Sequence, residues 1–187
     1  MFATLTWIFL KPFVKKIEGM KNLPKRCILV ANHASYIDGL LLGSVIAATH
    51  PLPRFIIWRH FFKVWTAPIL YLYGQIPTKG SIAKARKLLG KNNIIGIFPE
   101  GKRTHDGKLL PTTHTGVGVL HLLTKAPLVP VAIKGTFQWW PYNKSLPNFT
   151  KTLSIKIGKP RSFNKKVTKK NCLEIQAKMM QDVQQLT

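Results

Sequence analysis

The amino-acid sequence predicts an α/β fold: a single domain whose mostly parallel or mixed central sheet carries helices on both faces. The chain has 187 residues, a usual length for one domain with its own core, and it contains no repeat or linker. Its composition, 45% hydrophobic and 19% charged, is that of a globular protein. Short runs rich in valine and isoleucine alternate with segments of helical periodicity, which is the order typical of such sheets.

Four short apolar runs have the length and composition of strands that are buried on both faces. They are residues 27–31, 55–58, 94–98 and 128–133. A fifth strand is predicted at residues 153–157, where apolar and polar side chains alternate strictly. This alternation indicates one exposed face and a position near an edge of the sheet.

Helical patterns lie between these strands, at residues 36–49, 82–89 and 116–123. A C-terminal helix is predicted within residues 168–187, where Asn171 and Glu174 form a capping pair. Ligands of such sheets bind beyond the carboxyl ends of the strands, so the polar residues that follow each strand are the first candidates for a site.

Two further segments are amphipathic. Residues 1–17 are predicted as an N-terminal helix ahead of a core of residues 17–160, because apolar side chains recur there at helical spacing: Trp7, Leu10, Val14 and Ile17. The segment 54–73 places aromatic side chains among Arg59 and Lys63: Trp58, Phe61, Phe62, Trp65, Tyr71 and Tyr73. Both segments suit a bilayer interface, and both also suit ordinary helices that face the core.

The charge balance of the chain is strongly basic. Lysine and arginine number 29 against six aspartates and glutamates, which gives a formal net charge of +23. Charge of this sign predicts an anionic partner: nucleic acid, an anionic bilayer or a phosphorylated substrate. The sequence has no pattern of a known nucleic-acid-binding module, so no nucleic-acid partner is expected, and the lysine-rich residues 164–170 are predicted as a solvated loop or a second membrane contact.

The cellular location is predicted from what the sequence lacks. Its two cysteines, Cys27 and Cys172, have no metal-binding or redox spacing, which favours a reducing compartment. No apolar run reaches the roughly 18–20 residues of a membrane span, and the N-terminus is apolar first and basic afterwards, the reverse of a signal peptide. We therefore expect a cytoplasmic protein attached peripherally to the inner face of the cell membrane.

The first candidate site follows the first buried strand and contains Asn32, His33 and Asp38. His33 and Asp38 are five positions apart, about 500° on a continuous helix, so they meet only if His33 lies in a loop and Asp38 in the first helical turn. Ser35 is a suitable N-cap for that helix. Asp38 would then orient the imidazole, whose free nitrogen takes a proton from a hydroxyl. Asp38 alone is equally compatible with a capping role.

The second candidate site follows the strand at residues 94–98. Gly101 permits a tight turn with exposed backbone N–H groups, Lys102 and Arg103 supply cations that bind phosphate, and Thr104 adds a hydroxyl. Glu100 either steadies the turn by a salt bridge or holds the cations or the hydroxyls of a substrate. Because both candidate sites follow strands, we expect them to share one pocket.

Together these residues carry a family resemblance. Asn32-His33-x4-Asp38 and, about 60 residues later, the run from Phe98 to Thr104 resemble the NHxxxxD and FPEGxR[ST] blocks of the glycerolipid acyltransferases. Among these, the lysophosphatidate (1-acylglycerol-3-phosphate) acyltransferases are the most similar. Residues 127–135 resemble the Pro-Val-Pro-Val-like block of that family, and the similarity covers about residues 17–160.

The resemblance implies a glycerol-3-phosphate acyltransferase-like fold across residues 1–187. It implies transfer of a fatty acyl group from acyl-CoA or acyl carrier protein to the sn-2 hydroxyl of lysophosphatidate, giving phosphatidate. His33 would be the general base and Asp38 its orienting partner. The predicted substrate-binding residues are Asn32, Lys79, Glu100, Gly101, Lys102, Arg103 and Thr104. No metal or other cofactor is implied.

Two residues depart from the pattern of the family. Lys79 stands about where the family has an arginine that binds phosphate, and His114 stands near the place of another basic residue. These departures leave glycerol 3-phosphate or another lysolipid as alternative acceptors. A hydrolase remains a further alternative, although the sequence has no G-x-S-x-G elbow. The alternative of another class is a basic nucleic-acid- or membrane-binding protein without catalysis.

Overall fold

A mixed β-sheet forms the centre of the structure, a computed structural model that describes residues 2–64, 66–112, 114–141 and 143–187. Its strands are β1 Val14–Glu18, β2 Cys27–Ala31, β3 Arg54–Ile57, β4 Ile76–Pro77, β5 Ile94–Ile97, β6 Leu128–Lys134 and β7 Leu153–Ile157. They lie in the order β1-β7-β6-β2-β5-β3-β4. The strands from β6 to β4 are parallel, β7 is antiparallel to β6, and β1 is parallel to β7.

Helices cover both faces of this sheet, as predicted. They are α1 Phe2–Leu10, α2 Asp38–Ala47, α3 Ala67–Leu72, α4 Ser81–Leu89, α5 Gly116–Thr124, α6 Thr136–Trp139 and α7 Lys169–Leu186. Helices α1 and α2 pack in one apolar core with one face of the sheet, and α4, α5 and α7 pack in a second core with the other face. None of the described helices combines the length and the hydropathy needed to span a bilayer.

The side chains of strand β2 enter both cores, which explains why its sequence is a continuous apolar run. Cys27, Leu29 and Ala31 belong to the first core, and Ile28 and Val30 belong to the second. The strand is therefore buried on both faces, as expected for a central parallel strand. Burial raises the pKa of the Cys27 thiol to about 12, so this cysteine acts as a small apolar side chain.

The N-terminal helix is shorter than the predicted segment 1–17. Helix α1 ends at Leu10, a 3-10 turn follows at Lys11–Phe13, and Val14–Glu18 is strand β1. Pro12, which lacks an N–H group, stands in that turn and cannot donate to an α-helical bond. Strand β1 pairs with β7, so β7 is the second strand of the sheet, which agrees with the position near an edge that its alternation predicted.

The C-terminal helix α7 is capped by a residue other than the predicted pair. The hydroxyl of Thr168 accepts from the backbone N–H of Asn171 at 3.2 Å, so the helix begins at Lys169. The side chain of Asn171 donates instead to the carbonyl of Lys166 at 2.8 Å. Glu174 forms an ion pair with Lys165. The prediction of Asn171 and Glu174 as a capping pair is therefore wrong.

The parallel strands bring the candidate residues to one edge of the sheet. The carboxyl ends of β2, β5, β3 and β4 all lie there, because these strands run in the same direction. The segments that contain His33, Glu100, Trp58 and Lys79 therefore leave the sheet on the same side. This is the edge at which ligands bind in sheets of this kind.

Candidate active site

The imidazole of His33 lies against the carboxylate of Asp38. His33 is in the loop after β2 and Asp38 is the first residue of α2, the geometry that their spacing predicted. The distance from His33 Nδ1 to Asp38 Oδ2 is 2.8 Å. The Asp38 side chain is fully buried, whereas that of His33 is 22% exposed. The pair therefore has a protected carboxylate and an accessible imidazole.

Asp38 also organises the loop that holds His33. The same oxygen, Oδ2, accepts from the backbone N–H groups of Ala34 at 2.7 Å and Ser35 at 2.8 Å. Because an ionised carboxylate only accepts, His33 Nδ1 carries a proton, and in the neutral form of the ring the lone pair is on Nε2. Ser35 is not the predicted N-cap: α2 begins three residues later, and the Ser35 hydroxyl donates to the carbonyl of Trp140 at 2.7 Å.

Asn32, predicted to bind substrate, instead forms hydrogen bonds with the backbone of the neighbouring strand β6. Its Nδ2 donates to the carbonyl of Ile133 and its Oδ1 accepts from the N–H of the same residue, both at 2.8 Å. Asn32 is also buried. This two-point contact fixes the end of β2 against β6, so Asn32 positions the His33 loop.

Glu100 joins two loops through backbone bonds that the sequence did not predict. Oε1 accepts from the N–H of His33 at 2.7 Å, and Oε2 accepts from the N–H of Leu110 at 2.8 Å. Burial raises the pKa of Glu100, and Asp38 adds to this rise. The two backbone donors and His33 oppose it. The carboxyl group thus holds the His33 loop in place, instead of the predicted cations or substrate hydroxyls.

Thr104 is likewise engaged inside the protein and is almost fully buried. Its backbone N–H donates to the carbonyl of His33 at 3.1 Å. Its hydroxyl, which was predicted to contact substrate, donates to Asp106 Oδ1 at 2.8 Å. The pKa of Asp106 is lowered by hydrogen bonds from the Lys108 N–H and the Thr104 hydroxyl. Thr104 therefore connects the second candidate site to the first.

Three aromatic rings lie in a row that ends at the imidazole. The ring of Phe98 stacks on His33 with a centroid distance of 4.3 Å and an interplanar angle of 16°. The ring of Phe55 in turn stacks on that of Phe98, with a centroid distance of 5.5 Å and an interplanar angle of 7°. A Cβ atom at Gly96 would lie 2.3 Å from the Phe55 ring, so this row requires glycine at that position of β5. Neither phenylalanine ring was predicted to contact His33.

A cavity of about 460 Å³ opens beside the second candidate site. Its lining residues are Glu100, Gly101, Lys102, Leu110, Pro111 and His114. Gly101 adopts a positive φ of 68°, and its N–H donates to the carbonyl of Phe98 at 3.1 Å, so this N–H closes the turn and is not the exposed donor that was predicted. Lys102 is exposed at the rim.

Arg103 reaches back to the first candidate site. Its guanidinium carbon lies 3.3 Å from the centroid of the Tyr36 ring, a cation–π contact. The Tyr36 ring in turn lies 6.3 Å from that of Trp140. Tyr36 was not predicted as a site residue, although its place two residues before Asp38 puts it on the same loop.

Lys79 is the predicted substrate-binding residue that lies away from the His33 loop. It follows β4, and β4 is separated from β2 by β5 and β3. At the usual strand spacing this is roughly 14 Å from the His33 loop. Lys79 is exposed at the same edge of the sheet. In the part of the chain that the structure describes, no group of acidic, histidine and cysteine side chains has the arrangement of a metal site.

Comparison with known proteins gives consistent matches. Residues 15–134 match the Acyltransferase family. A 1-acyl-sn-glycerol-3-phosphate acyltransferase of Cocos nucifera is 32% identical over 154 residues, which are 74% of this chain and 46% of that protein. The enzyme of the same name from Limnanthes douglasii is 30% identical over 143 residues, 72% of this chain and 49% of that protein. The chain thus spans about half the length of these relatives.

A solved structure matches over the whole chain. The crystal structure of the 1-acyl-sn-glycerophosphate acyltransferase from Thermotoga maritima superposes with a TM-score of 0.72. The match covers 100% of this chain and 77% of that chain, at 23% sequence identity. The α/β architecture is therefore shared with that protein.

Proposed function

The chain belongs to the Acyltransferase family, and on this premise we propose that it transfers a fatty acyl group from acyl-CoA or acyl carrier protein to the sn-2 hydroxyl of lysophosphatidate, forming phosphatidate. The acceptor is taken from the names of the relatives in Cocos nucifera and Limnanthes douglasii. The observation that carries the proposal is the 2.8 Å contact of His33 with a buried Asp38 at the ligand-binding edge of the sheet.

The proposed reaction needs one base and no nucleophile from the protein. Nε2 of His33 takes the proton of the acceptor hydroxyl as its oxygen attacks the thioester carbonyl carbon. The tetrahedral intermediate collapses, the carbon–sulfur bond breaks, and the leaving thiolate receives the proton from the imidazolium. Asp38 keeps Nδ1 protonated throughout and stabilises the imidazolium while it exists.

Arg103 and Lys102 are the proposed ligands of the acceptor phosphate. The planar guanidinium of Arg103 binds a phosphate through two donors, and its contact with Tyr36 holds it beside the His33 loop. Lys102 adds a mobile charge at the rim of the cavity. Lys79, farther along the edge, is proposed only as an outer cation for the head group. Asn32, Glu100 and Thr104 are proposed as positioning residues.

The proposed place of reaction is the surface of an anionic membrane on its cytoplasmic side. A long-chain lysophospholipid is presented there, and a net charge of +23 favours residence at an anionic surface. Glycerol 3-phosphate and other lysolipids share the reacting hydroxyl and the phosphate, so they remain alternative acceptors for the same residues.

The test is acyl transfer by the purified protein in anionic vesicles that contain lysophosphatidate, with a long-chain acyl-CoA or acyl carrier protein as donor. We expect phosphatidate from the wild type, and a loss of roughly 10²–10⁴-fold in turnover for His33→Ala. His50→Ala is the matched control, because that ring also makes two hydrogen bonds but follows the far end of α2. It should keep full turnover.

Each other outcome changes a different part of the proposal. Product with glycerol 3-phosphate or another lysolipid, and none with lysophosphatidate, would replace the acceptor and retain the mechanism. Unchanged turnover in a folded His33→Ala variant would show that the imidazole is not the base. If the protein transfers an acyl group to none of these acceptors, a binding protein without catalysis becomes the favoured alternative.

A further inference from the structure

The segment between β3 and β4 exposes apolar side chains to an unusual degree. We call residues 58–73 the apolar excursion; Trp65, one of its predicted aromatic residues, lies outside the described residues. The exposed large side chains of the excursion are Trp58, Phe61, Val64, Ile69, Tyr71 and Leu72. Val64 is 83% exposed and Leu72 is 79% exposed. Several large apolar side chains exposed within one short segment indicate a surface that contacts another body.

Helix α3, within the excursion, buries none of its residues in the protein core. Its six residues, Ala67–Leu72, carry no charge and only one hydroxyl, that of Tyr71, yet none of them is buried. A helix that is apolar all round is ordinarily covered by a protein core or by lipid, and a helix of six residues is not stable in water by itself. In the described structure the protein core does not cover α3.

The charges around the excursion favour an anionic surface as its cover. The chain has no acidic residue between Asp38 and Glu100, whereas Arg59, Lys63 and Lys84 lie within or beside the excursion. The ammonium group of Lys84 lies 5.7 Å from the centroid of the Tyr71 ring, so charge and aromatic surface adjoin in space as well as in sequence. Aromatic side chains next to cations are typical of the interface of an anionic bilayer.

The base of the excursion is fixed, and it lies at the catalytic edge. Trp58 follows β3 directly, on the side of the sheet to which β2 delivers His33. The Arg59 N–H donates to the Thr78 hydroxyl at 3.2 Å, and the Thr78 N–H donates to the carbonyl of Ile57 at 3.0 Å. At the far end, the guanidinium of Arg54 donates to the carbonyl of Tyr73. Both ends of the excursion are therefore attached to the edge of the sheet.

We propose that the apolar excursion is the surface on which the protein docks to an anionic bilayer, with α3 and Trp58 in the interfacial region and the cations at the head groups. This docking places the mouth of the His33 site at the membrane, so that a lipid acceptor enters without crossing water. The inference rests on the proposed function in one respect only, namely that the acceptor is a lipid.

Two other covers fit the surface less well. A second copy of the chain would bring Arg59 and Lys63 towards another strongly basic protein, and like charges disfavour that contact. An acidic carrier protein would satisfy the cations, but it would leave Val64 and Leu72 without a reason to be exposed. Only the bilayer interface matches both the apolar and the basic part of the surface.

The test is sedimentation of the full chain with vesicles of phosphatidylcholine and phosphatidylglycerol, and with phosphatidylcholine alone. The variant Val64→Glu/Leu72→Glu places two acids on the excursion, at positions where exposure keeps the fold intact. Its matched control is Leu123→Glu/Gln185→Glu, which also adds two acids at exposed positions, on helices α5 and α7, outside the excursion and outside the lysine-rich residues 164–170. Thermal unfolding verifies that both variants are folded.

We expect the excursion variant to bind mixed vesicles at least about tenfold more weakly than the wild type, and the control to bind like the wild type to within about twofold. Arg59→Ala/Lys63→Ala should weaken binding to mixed vesicles and hardly affect the weak binding to phosphatidylcholine. Equal binding by the excursion variant and the control would overturn the proposal. So would unchanged vesicle binding together with lost binding of an acidic acyl carrier protein, or with lost self-association.

An activity assay separates this inference from the proposed reaction. With a short-chain, water-soluble lysophosphatidate, the excursion variant should turn over as the wild type does, whereas with the long-chain acceptor in vesicles its rate should fall. Equal loss with both acceptors would overturn the docking role. If the wild type transfers no acyl group at all, the vesicle sedimentation still decides whether the excursion docks.

Discussion

The loop after β2 and the apolar excursion after β3 leave the same edge of the sheet, yet they are built in opposite ways. In the first, residues 32–38, nearly every polar group has a partner inside the protein, and Asp38 alone accepts from an imidazole and two backbone N–H groups. In the second, large apolar side chains such as Val64 and Leu72 face outwards. One segment is fixed by the protein, and the other is left to be covered from outside.

The distribution of carboxyl groups accounts for this difference. Of the six acidic residues in the chain, Asp38, Glu100 and Asp106 lie at or next to the His33 loop, and the excursion has none. Acids near His33 accept hydrogen bonds from backbone N–H groups and orient the ring, so they stabilise the loop in the described conformation. The positive charges of the excursion have no acidic residue within that segment to neutralise them. They are therefore available to attract an anionic surface. Acidic residues thus order the loop around His33, and their absence leaves the excursion positively charged.

The largest expected effect is on the fixed loop, from Asp38→Asn. The amide can donate to Nδ1 of His33, which would move the ring proton to Nε2 and remove the base. We expect kcat to fall by about 10³–10⁴, as for other histidines that lose their orienting carboxylate. Asp182→Asn, which alters a second buried acid in α7, is the control and should keep kcat. Equal loss in both variants would assign the effect to stability.

Glu100→Ala should have the next largest effect, and it acts on stability as well as on activity. The change removes the acceptor of the His33 and Leu110 N–H groups, and leaving such donors unsatisfied costs about 1–3 kcal/mol. Thermal unfolding should show a fall of several degrees in Tm. Glu174→Ala, which breaks an exposed ion pair that solvent screens, should leave Tm almost unchanged. A smaller loss at Glu100 than at Glu174 would contradict the role of Glu100 in fixing the loop.

A subtler effect of Glu100 concerns pH. Its pKa is raised in the folded protein, so the favourable contribution of the proton is fully present below the unfolded value, about 4.5, and is lost as the pH rises through the folded pKa. The unfolding free energy of the wild type should therefore decline relative to Glu100→Gln as the pH rises over that range. Chemical denaturation at several pH values measures this slope. The opposite slope would mean that the two backbone donors outweigh burial.

The smallest expected effect belongs to the excursion. Replacing two exposed apolar side chains by Val64→Gln/Leu72→Gln removes no protein core, so the unfolding free energy should change by no more than about 0.5 kcal/mol. Chemical denaturation is the measurement. A loss of several kcal/mol would show that these side chains are part of the core after all, and the contrast between the two segments would disappear.

Much of the fold follows from the periodicity of the sequence. The continuous apolar runs that became β2, β5 and β6 are buried on both faces, and a strand of that kind is recognisable without knowledge of its neighbours. Strand β1 was missed, because Val14 and Ile17 fit a helical period as well as a strand. Its pairing with β7, far away in the chain, decides between the two, and local pattern contains no information about that pairing.

The sequence predicted the contact between His33 and Asp38, but it predicted few of the other contacts at the candidate site. The spacing of His33 and Asp38 dictated a loop followed by a helix, and the structure has this arrangement. The sequence gives no sign that the carboxyl group of Glu100 accepts from backbone N–H groups rather than from a cation, since backbone donors are present everywhere. The stacking of Phe98 on His33 was equally hidden, because an aromatic residue at the end of a strand is ordinarily part of the core.

The pairing of β1 with β7 has a consequence for the order in which the protein can be completed. On the ribosome, Val14–Glu18 emerges before the other strands, but its partner, Leu153–Ile157, is synthesised only after most of the sheet has been translated. Strands β2 to β6 can associate in the meantime, because their partners lie closer in sequence. Helix α1, with the exposed apolar residues Ile8 and Phe9, must wait beside an unpaired strand. Strand β1 therefore stays unpaired, and open to wrong partners, until β7 has been synthesised.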